Sequence, residues 1–556
     1  MMSGKDELVF APLGGLGEIG MNAALYGFGP KAKRKWILVD LGVAFAGPDL
    51  PGIELILPDV GFLKSIRKDL LGLIITHAHE DHIGAIAHLW PRLECPVYAT
   101  RFANLLLEAR RLGETGAPDV PLNTIEQGER LQLGPFDIEF IAMAHSIPES
   151  CALAIRTPLG TVLHTGDWKL DPDPIVGTQT DEARLRQIGE EGVLALISDS
   201  TNIMREGLSP SEGDVAKTLR EIILNSTGRV VVTTFASNVA RIRAVAMAAQ
   251  EAGRSVILVG RAMDRVVAAA RECGLLQGLP PFLGQDSFDR LPRERVVVLA
   301  TGSQGEGRAA MARIALDEHP VVRLASGDRV VFSSRPIPGN EKSVYALMNG
   351  LARQGIEILT DRTHLVHASG HPRRGEVVQM YDWIRPKIAI PAHGEEQHLR
   401  EHAAFAKAQG VETVINARNG DLVVLAPGRA AIDDQIPTGR LYTDGQLIIA
   451  QKDEAIAQRA RLAFAGVISV GLALTSKGEL AGDPDMVMAG IPARTMDGRS
   501  MDELVDKVIF ETLDSLPRAR RRDPDAVSSS LEKAIRNSLR AVWGKKPVVQ
   551  VLVMLV

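Results

Sequence analysis

His77, His79, Asp81 and His82 stand within six residues of one another in the stretch Thr76-His77-Ala78-His79-Glu80-Asp81-His82. Nitrogen and oxygen donors set this closely suit a borderline divalent cation, Zn²⁺ first, with Mn²⁺ or Fe²⁺ as alternatives. An apolar run, Leu70 to Ile75, precedes them and reads as a buried strand. On an extended backbone His77 and His79, two apart, aim to one side. Asp81 and His82 come next, where the chain must turn, and Gly84 with the apolar residues after it predicts a helix starting there. A strand end that hands over to a helix presents two imidazoles, then a carboxylate and a third imidazole, to one small volume. A solvated His-rich turn is the competing reading, and the spacing argues against it.

The elements that must position such a group alternate apolar strands with amphipathic helices from Leu70 onward. Val97 to Ala99 is a strand, Ala103 to Leu112 a helix, and Leu131 to Ile141 a hairpin that runs into His145. A second hairpin, Cys151 to Arg156 and Gly160 to His164, leads to Asp167; the strand Leu194 to Ile197 leads to Asp199. His or Asp before a small residue at successive strand ends is the pattern expected when loops at one sheet edge build a site. Residues 211–371 change character. Short β-branched strands (Val230 to Thr234, Val256 to Val259, Val296 to Ala300, Val330 to Ser333, Ile356 to Leu359) are separated by helices such as Ala240 to Ala252 and Arg265 to Cys273, which predicts a parallel, doubly wound domain. A helix from Gly375 to Trp383 and a strand from Lys387 to Pro391 then carry the chain to His393. Residues 433–455, with Pro437, Gly439 and Gly445, read as a linker. Residues 456–556 read as a small α+β domain, with strands at Ala463 to Leu474 and Val548 to Val556 around helices near Met501 to Leu516 and Asp525 to Val542.

At 556 residues the chain is too long for one core, and 45% apolar residues describe a globular protein. A net charge of -5 provides no global basic field for nucleic acid, although a groove can be basic on an acidic protein. Three cysteines, Cys95, Cys151 and Cys273, far apart and in no paired motif, argue for a reducing compartment. The N-terminus lacks an apolar signal core, and no apolar run approaches the roughly 20 residues of a membrane span, so a cytoplasmic protein is expected. Gly15-Leu-Gly17-Glu-Ile-Gly20 matches the dinucleotide fingerprint, with Asp40 twenty residues on. The residues between are wrong for that fold: Asn22 to Phe28 and Trp36 to Leu41 read as a hairpin across a charged turn. A hairpin cannot supply the helix whose N-terminus binds pyrophosphate.

The series His77-x-His79-x-Asp81-His82, His145, Asp167 and His393 resembles the metallo-β-lactamase-fold hydrolases. The long gap from Asp167 to His393 holds the separate α/β domain, as in the β-CASP nucleases. Gly14 to Asn22, Thr363 to His371 and Pro391 to Glu395 extend the resemblance, over essentially the whole chain, to the bacterial ribonuclease J family. The resemblance implies a metallo-β-lactamase αββα core (1–210 and 372–432), an inserted doubly wound β-CASP domain (211–371), the linker and the small C-terminal domain. It implies one zinc on His77, His79, His145 and Asp167, and a second on Asp81, His82, Asp167 and His393, with Asp167 bridging. It implies catalytic roles for Asp81, Asp199 and His371, the last as proton donor to the leaving 3′ oxygen. It implies that Phe235, Ala236, Ser237, Asn238, Ser334, His367, Ala368, Ser369, Gly370 and His371 form a pocket for RNA phosphates, including a 5′ monophosphate. Glu54 and Asp444 would mark an accessory structural Ca²⁺.

The activity so implied is 5′-to-3′ exonuclease and endonuclease cleavage of RNA in mRNA decay and rRNA maturation, by a homodimer or higher homo-oligomer with no membrane partner. Two cations sharing a bridging carboxylate can activate a hydroxide and stabilise attacking and leaving oxygens. Arg241, Arg243, Arg261 and Arg265 in the insertion, and Arg518, Arg520, Arg521 and Arg522 near a helix end, are further candidates for RNA contact. Rival readings are a DNA nuclease, a small-molecule thioester or lactam hydrolase on the same core, and a noncatalytic RNA-binding scaffold. A compact thioesterase has no need of the inserted domain, and a scaffold has no need of all seven metal-ligand positions.

Overall fold

A computed structural model of the protein describes residues 5–113, 115–337 and 339–556. Contacts divide the chain into two compact units, one of Met1–Ala44 with Ile56–Arg440, the other of Phe45–Leu55 with Leu441–Val556.

The first unit is built on two facing sheets. One has eight strands in the order Ala431–Gln435, Asp421–Ala426, Asp6–Gly14, Ala23–Pro30, Lys35–Val39, Leu70–Ile74, Val97–Ala99 and Leu122–Thr124. The other has seven, Arg130–Leu133, Phe136–Ala142, Cys151–Thr157, Gly160–His164, Ala195–Asp199, Ile388–Ala392 and Thr413–Val414. Alternation explains how they meet: Phe136, Ile138 and Phe140 point from the second sheet to Phe10, Tyr26, Val39 and Ile74 of the first, all fully or almost fully buried. The opposite face of the second sheet packs Ile141, Leu163 and Leu196 against Leu185, Ile188, Met380 and Trp383 of the helices Glu182–Glu191 and Arg374–Ile384. Ile388–Ala392 pairs parallel to Ala195–Asp199, Asp199 facing Ala392, so residues almost two hundred positions apart end side by side. That pairing sets His393 beside the Asp199 loop.

Between those two strands the chain leaves and returns through a five-stranded sheet, Ser255–Val259, Val296–Ala300, Val230–Thr233, Arg329–Phe332 and Glu357–Leu359, in which all pairs are parallel. Its strands are continuous β-branched runs because helices cover both faces. The expectation of a doubly wound insertion is met. So is the hairpin in place of a dinucleotide fold: Ala23–Pro30 pairs antiparallel with Lys35–Val39.

Arg241 joins this sheet to the loops beyond it. It is fully buried, its guanidinium on both carboxylate oxygens of Glu212 (2.9 and 3.1 Å) and on the Val366 carbonyl (2.9 Å). Arg241→Ala leaves the Glu212 carboxylate buried and unpaired, a loss of about 3–5 kcal/mol in denaturant unfolding. The apolar double variant Arg241→Met with Glu212→Leu recovers most of it, because no lone charge is left inside.

In the second unit the strands Asp485–Ala489, Val467–Leu474 and Val548–Leu555 form a sheet in that order, covered on one face by Met501–Ser515 and Pro524–Trp543. The segment 433–455 expected as a linker carries strand instead, at Arg440–Asp444 and Leu447–Ala450, which pair antiparallel. Gly445, at φ +59°, makes their turn, so a residue read as a chain breaker is a hairpin corner. Residues 463–465, expected in a strand, finish the helix Glu454–Ala465. Among the described residues no helix is long and apolar enough to cross a membrane.

Candidate metal centre and phosphate pocket

The strand Leu70–Ile74 delivers His77, which is fully buried. His79 is still extended (φ −71°, ψ 150°) and serves as N-cap to the single helical turn Glu80–Ile83. Helix therefore starts before Gly84, earlier than the apolar pattern suggests, and Asp81 and His82 lie in its first turn. Gly42 makes this possible: a Cβ there would stand 1.6 Å from the Asp81 carbonyl oxygen.

Two donor sets result. His77 Nε2 and His145 Nε2 lie 3.2 and 3.1 Å from His79 Nδ1. Asp167 Oδ2 lies 3.3 Å from His82 Nε2, 3.2 Å from His393 Nε2 and 3.9 Å from His77 Nε2. Asp81 Oδ2 lies 3.6 and 3.9 Å from His82 Nε2 and His393 Nε2. Nitrogens held about 2.0–2.1 Å from a tetrahedral zinc stand roughly 3.3 Å apart. The donor spacing is thus that of a coordination shell, and buried His393 Nε2 and Asp167 Oδ1 have no hydrogen-bond partner among the described residues. The residues fit a pair of divalent cations.

Four of the five rings are turned by their other nitrogen. His82 Nδ1 donates to Asp40 Oδ2 (2.7 Å), His145 Nδ1 to the Gly370 carbonyl (2.7 Å) and His393 Nδ1 to Asn22 Oδ1 (3.0 Å). His77 Nδ1 donates to Thr76 Oγ1 (3.0 Å), which in turn donates to Asp40 (2.8 Å). Such bonds set the ring orientation and turn Nε2 of His77, His82, His145 and His393 toward the site. Gly370 must be glycine for this approach, since a Cβ there would stand 2.6 Å from His145 Cε1. Asp40, Asn22 and Thr76 escaped sequence reading as orienting groups. Asp40 stood out only as the acidic end of a false dinucleotide motif. Its position is explained by its backbone N–H, which donates to Ile74 at the end of the His-bearing strand.

Burial and neighbouring cationic rings hold His77 and His145 well below the ordinary imidazole value, and His79 falls to about 4, mainly through burial. Neutral rings are what metal ligation requires. His82 moves the other way: burial opposes its charge, but Asp167, Asp81 and Asp40 together outweigh it. Burial also acts to raise the Asp167 carboxyl, and His393 and His82 overcome that and hold it low.

Beside both sets His371 Nδ1 donates to Asp199 Oδ2 (2.7 Å), whose Oδ1 accepts from the Thr201 N–H (2.8 Å). The His371 ring sits 5.3 Å from that of His145 and is stacked 5.4 Å from that of His393. Burial lowers its pKa, but Asp199, then Asp167 and Asp81, carry it up to about 9.

At the carboxyl edge of the five-stranded sheet three loops meet. Strands Val230–Thr233 and Arg329–Phe332 are parallel neighbours, so the loop with Phe235, Ala236 and Ser237 and the loop with Ser334 leave the sheet at the same edge. Asn238 caps the helix Val239–Glu251, its Oδ1 accepting from the Arg241 N–H. Arg241 and Ser333 both reach the Val366 carbonyl and so bring His367, Ala368, Ser369 and Gly370 alongside. Ser369 Oγ accepts from Asn202 Nδ2 (2.9 Å). Burial and the charges of Arg241, Arg335 and Lys169 keep His367 neutral, and its buried Nδ1 has no partner among the described residues. Ligands of parallel α/β sheets bind at this edge.

Other candidates lie elsewhere. Buried, paired Arg241 is no RNA contact; Arg243 donates to the carbonyls of Leu275 and Gln277. Arg261 and Arg265 are exposed on the helix Arg261–Glu272. In the second unit Arg518, Arg520 and Arg522 are exposed, while Arg521 donates to the carbonyls of Leu516 and Asp514 and so closes the end of a helix. Asp444 is ion-paired to Arg459 at 2.6 Å, and neither it nor Glu54 belongs to a group of three or more metal-binding side chains among the described residues.

Family models match nearly the whole length. The metallo-beta-lactamase superfamily model covers residues 22–220, the ribonuclease J beta-CASP domain 227–351, the Zn-dependent metallo-hydrolase RNA specificity domain 355–416, and the ribonuclease J C-terminal domain 454–556. The chain is 51% identical to ribonuclease J of Sinorhizobium meliloti over 99% of its own length and 98% of that protein's. It is 36% identical to that of Corynebacterium glutamicum (97% and 74% covered) and 34% identical to that of Thermus thermophilus (94% and 94%). A crystal structure of an Enterococcus faecalis protein of unknown function shares the fold, at TM-score 0.53 and 16% identity over 75% of this chain and 100% of that one. At such identity and coverage the chain belongs to the ribonuclease J family, hydrolytic nucleases on a metallo-β-lactamase core with a β-CASP insertion.

Proposed function

We propose that this enzyme hydrolyses RNA phosphodiesters with two zinc ions, acting as a 5′-to-3′ exonuclease on 5′-monophosphorylated RNA and as an endonuclease. The observation that carries the reading is that seven donors from four separate segments form two sets, His77, His79 and His145 in one and Asp81, His82, Asp167 and His393 in the other, with Asp167 Oδ2 3.9 Å from His77 Nε2 and an Asp199–His371 pair alongside. His77, His79 and His145 with Asp167 would hold one cation; Asp81, His82 and His393 with Asp167 the other. Two such cations, when bound, supply a nucleophile at neutral pH and neutralise charge on the transferring phosphoryl group. Asp199 accepts a hydrogen bond from the His371 Nδ1–H, orients the ring and favours its cationic form. His371 then donates its Nε2 proton to the leaving 3′ oxygen.

The loops at Phe235 to Asn238, Ser334 and His367 to Gly370 hold the 5′ monophosphate. Small side chains let backbone N–H groups approach phosphate oxygens, and the neutral His367 ring stands among cations. Seating the 5′ end there fixes how far the next phosphodiester lies from the metals, which is how one centre serves stepwise exonuclease action. His367→Ala and Ser369→Ala therefore depress exonuclease turnover about tenfold more than internal cleavage, compared on 5′-monophosphorylated and circular RNAs. Equal loss of both activities refutes that separation.

Residues 1–210 and 372–432 make one core into which 211–371 are inserted. A homodimer or higher oligomer is the expected assembly, supported by an apolar sheet face in the second unit that leaves Val487, Leu552 and Met554 exposed. mRNA decay and rRNA maturation in the cytoplasm are the processes served. The deciding assay gives purified protein zinc or manganese and RNAs that differ only in the 5′ end, with deoxyribose counterparts. Cleavage of the RNAs, fastest with a 5′ monophosphate, supports the reading. Cleavage of the deoxyribose strands alone, or turnover of a thioester with no RNA cleavage, overturns it.

A further inference from the structure

The turn after Asp199 carries an unneutralised charge that the metal centre and phosphate pocket do not use. Residues 200–202 are tied to the site: the Ser200 N–H donates to the His393 carbonyl (3.3 Å), and Asn202 Nδ2 to the His371 carbonyl (3.1 Å). The chain then turns outward through Met204, Arg205 and Leu208, all exposed, the two apolar side chains by 56 and 57%.

Arg374 clamps this turn from behind. Its Nε donates to the Ile203 carbonyl (3.1 Å), its Nη1 pairs with Glu206 (2.9 Å) and its Nη2 with Glu401. The backbone N–H groups of Arg374 and Gly375 donate to the carbonyls of Arg205 and Gly207 (2.9 and 3.0 Å). Glu206 is thereby spent on Arg374. Arg205 and Arg373, whose backbones are brought together by these contacts and by the Asn202–Arg373 bridge, make no ion pair among the described residues, and the buried Nε of Arg373 lacks a partner. Arg335 lies within electrostatic reach of both Arg205 and His367, but it is engaged by Asp361 (3.0 Å). Burial, then Arg335 and Arg373, depress the Arg205 guanidinium below its ordinary value, with Asp361 opposing them.

A rigid turn that holds unpaired guanidiniums beside a catalytic centre, flanked by exposed apolar side chains, suits a strand that carries phosphates and flat bases together. We infer that Arg205 and Arg373 bind the phosphate backbone of a single RNA strand as it passes the metal centre, with Met204 and Leu208 in contact with its bases. This contact rests on the ribonuclease reading and adds to it a sequence-independent grip separate from the 5′-phosphate pocket.

The test measures binding of a labelled, phosphorothioate-protected RNA with a 5′ monophosphate to the metal-loaded full chain by fluorescence anisotropy, from about 50 to 200 mM KCl. Arg205→Gln and Arg373→Gln should each raise Kd about threefold or more on homopolymer and mixed sequences alike. Each should flatten the slope of log Kd against log salt by about 0.7, and the double variant by about twice that. Arg205→Lys should keep the slope, which separates a charge contact from a loss of local structure. Kd and slope equal to the parent's in the double variant overturn the inference while the ribonuclease reading stands. Failure of the parent itself to bind RNA removes that reading and this contact together.

Discussion

Alanine in place of His79 or Asp81 abolishes RNA cleavage, with a fall in kcat/KM of at least about a thousandfold, or roughly 4 kcal/mol of transition-state stabilisation. Each substitution takes one donor from one of the two sets: His79 Nδ1 lies 3.1–3.2 Å from two other ring nitrogens, and Asp81 Oδ2 faces His82 and His393. Neither change should unfold the protein. The backbone contacts of this turn, such as the Asn22 N–H to the Asp81 carbonyl (3.0 Å), do not involve the deleted side chains. Single-turnover cleavage of a 5′-phosphorylated RNA, metal content by mass spectrometry and the far-ultraviolet dichroism spectrum check the three parts. Retained cleavage sinks the assignment of the centre; lost cleavage with lost secondary structure sinks the claim that the ligands are dispensable to the fold.

Asp199→Asn has the next largest effect, a loss of about 10²–10⁴ in kcat, the usual worth of a positioned acid or base. The direction of its pH dependence is set by the causes of the His371 shift. Burial disfavours the charged ring, and Asp199 is the largest group opposing it, raising the pKa to about 9. A proton donor works only while protonated, so activity is lost as pH rises through the pKa that His371 has in the loaded enzyme. Two bound cations lower the value in the loaded enzyme, in parent and variant alike. Removing the Asp199 charge must then move the alkaline limb of kcat/KM to lower pH. A pH–rate profile with the limb unmoved, or moved to higher pH, excludes His371 as the donor that Asp199 sustains.

How much of this was legible depends on the distance over which each feature is encoded. The His77 to His82 cluster, the strand runs of the insertion and the hairpin behind the false dinucleotide motif are local patterns, and all appear in the fold. Helical onset at Glu80 escaped because it depends on Gly42, 38 positions away, leaving room for the Asp81 carbonyl. By sequence Arg241 is a candidate for RNA contact because an arginine on a helix looks solvated until its neighbours are known. Glu212, Ser333 and Val366, from three other elements, close over it. The strands at 440–450 escaped because proline and glycine mark corners as readily as linkers.

By itself the sequence determined the donor types, their order along the chain and the alternation that sorts strands into two sheets, since these depend on side-chain chemistry and on repeats of a few residues. Only the tertiary structure decided which nitrogen of His77, His82, His145 and His393 faces the centre, because that choice belongs to Thr76, Asp40, Gly370 and Asn22, whose hydrogen bonds exist only once the two sheets have paired. The same holds for charge. An arginine is cationic in any sequence, but whether it is spent on a buried carboxylate, as Arg241 is, or left without an ion pair among the described residues, as Arg205 is, depends on what folding brings within a few ångströms.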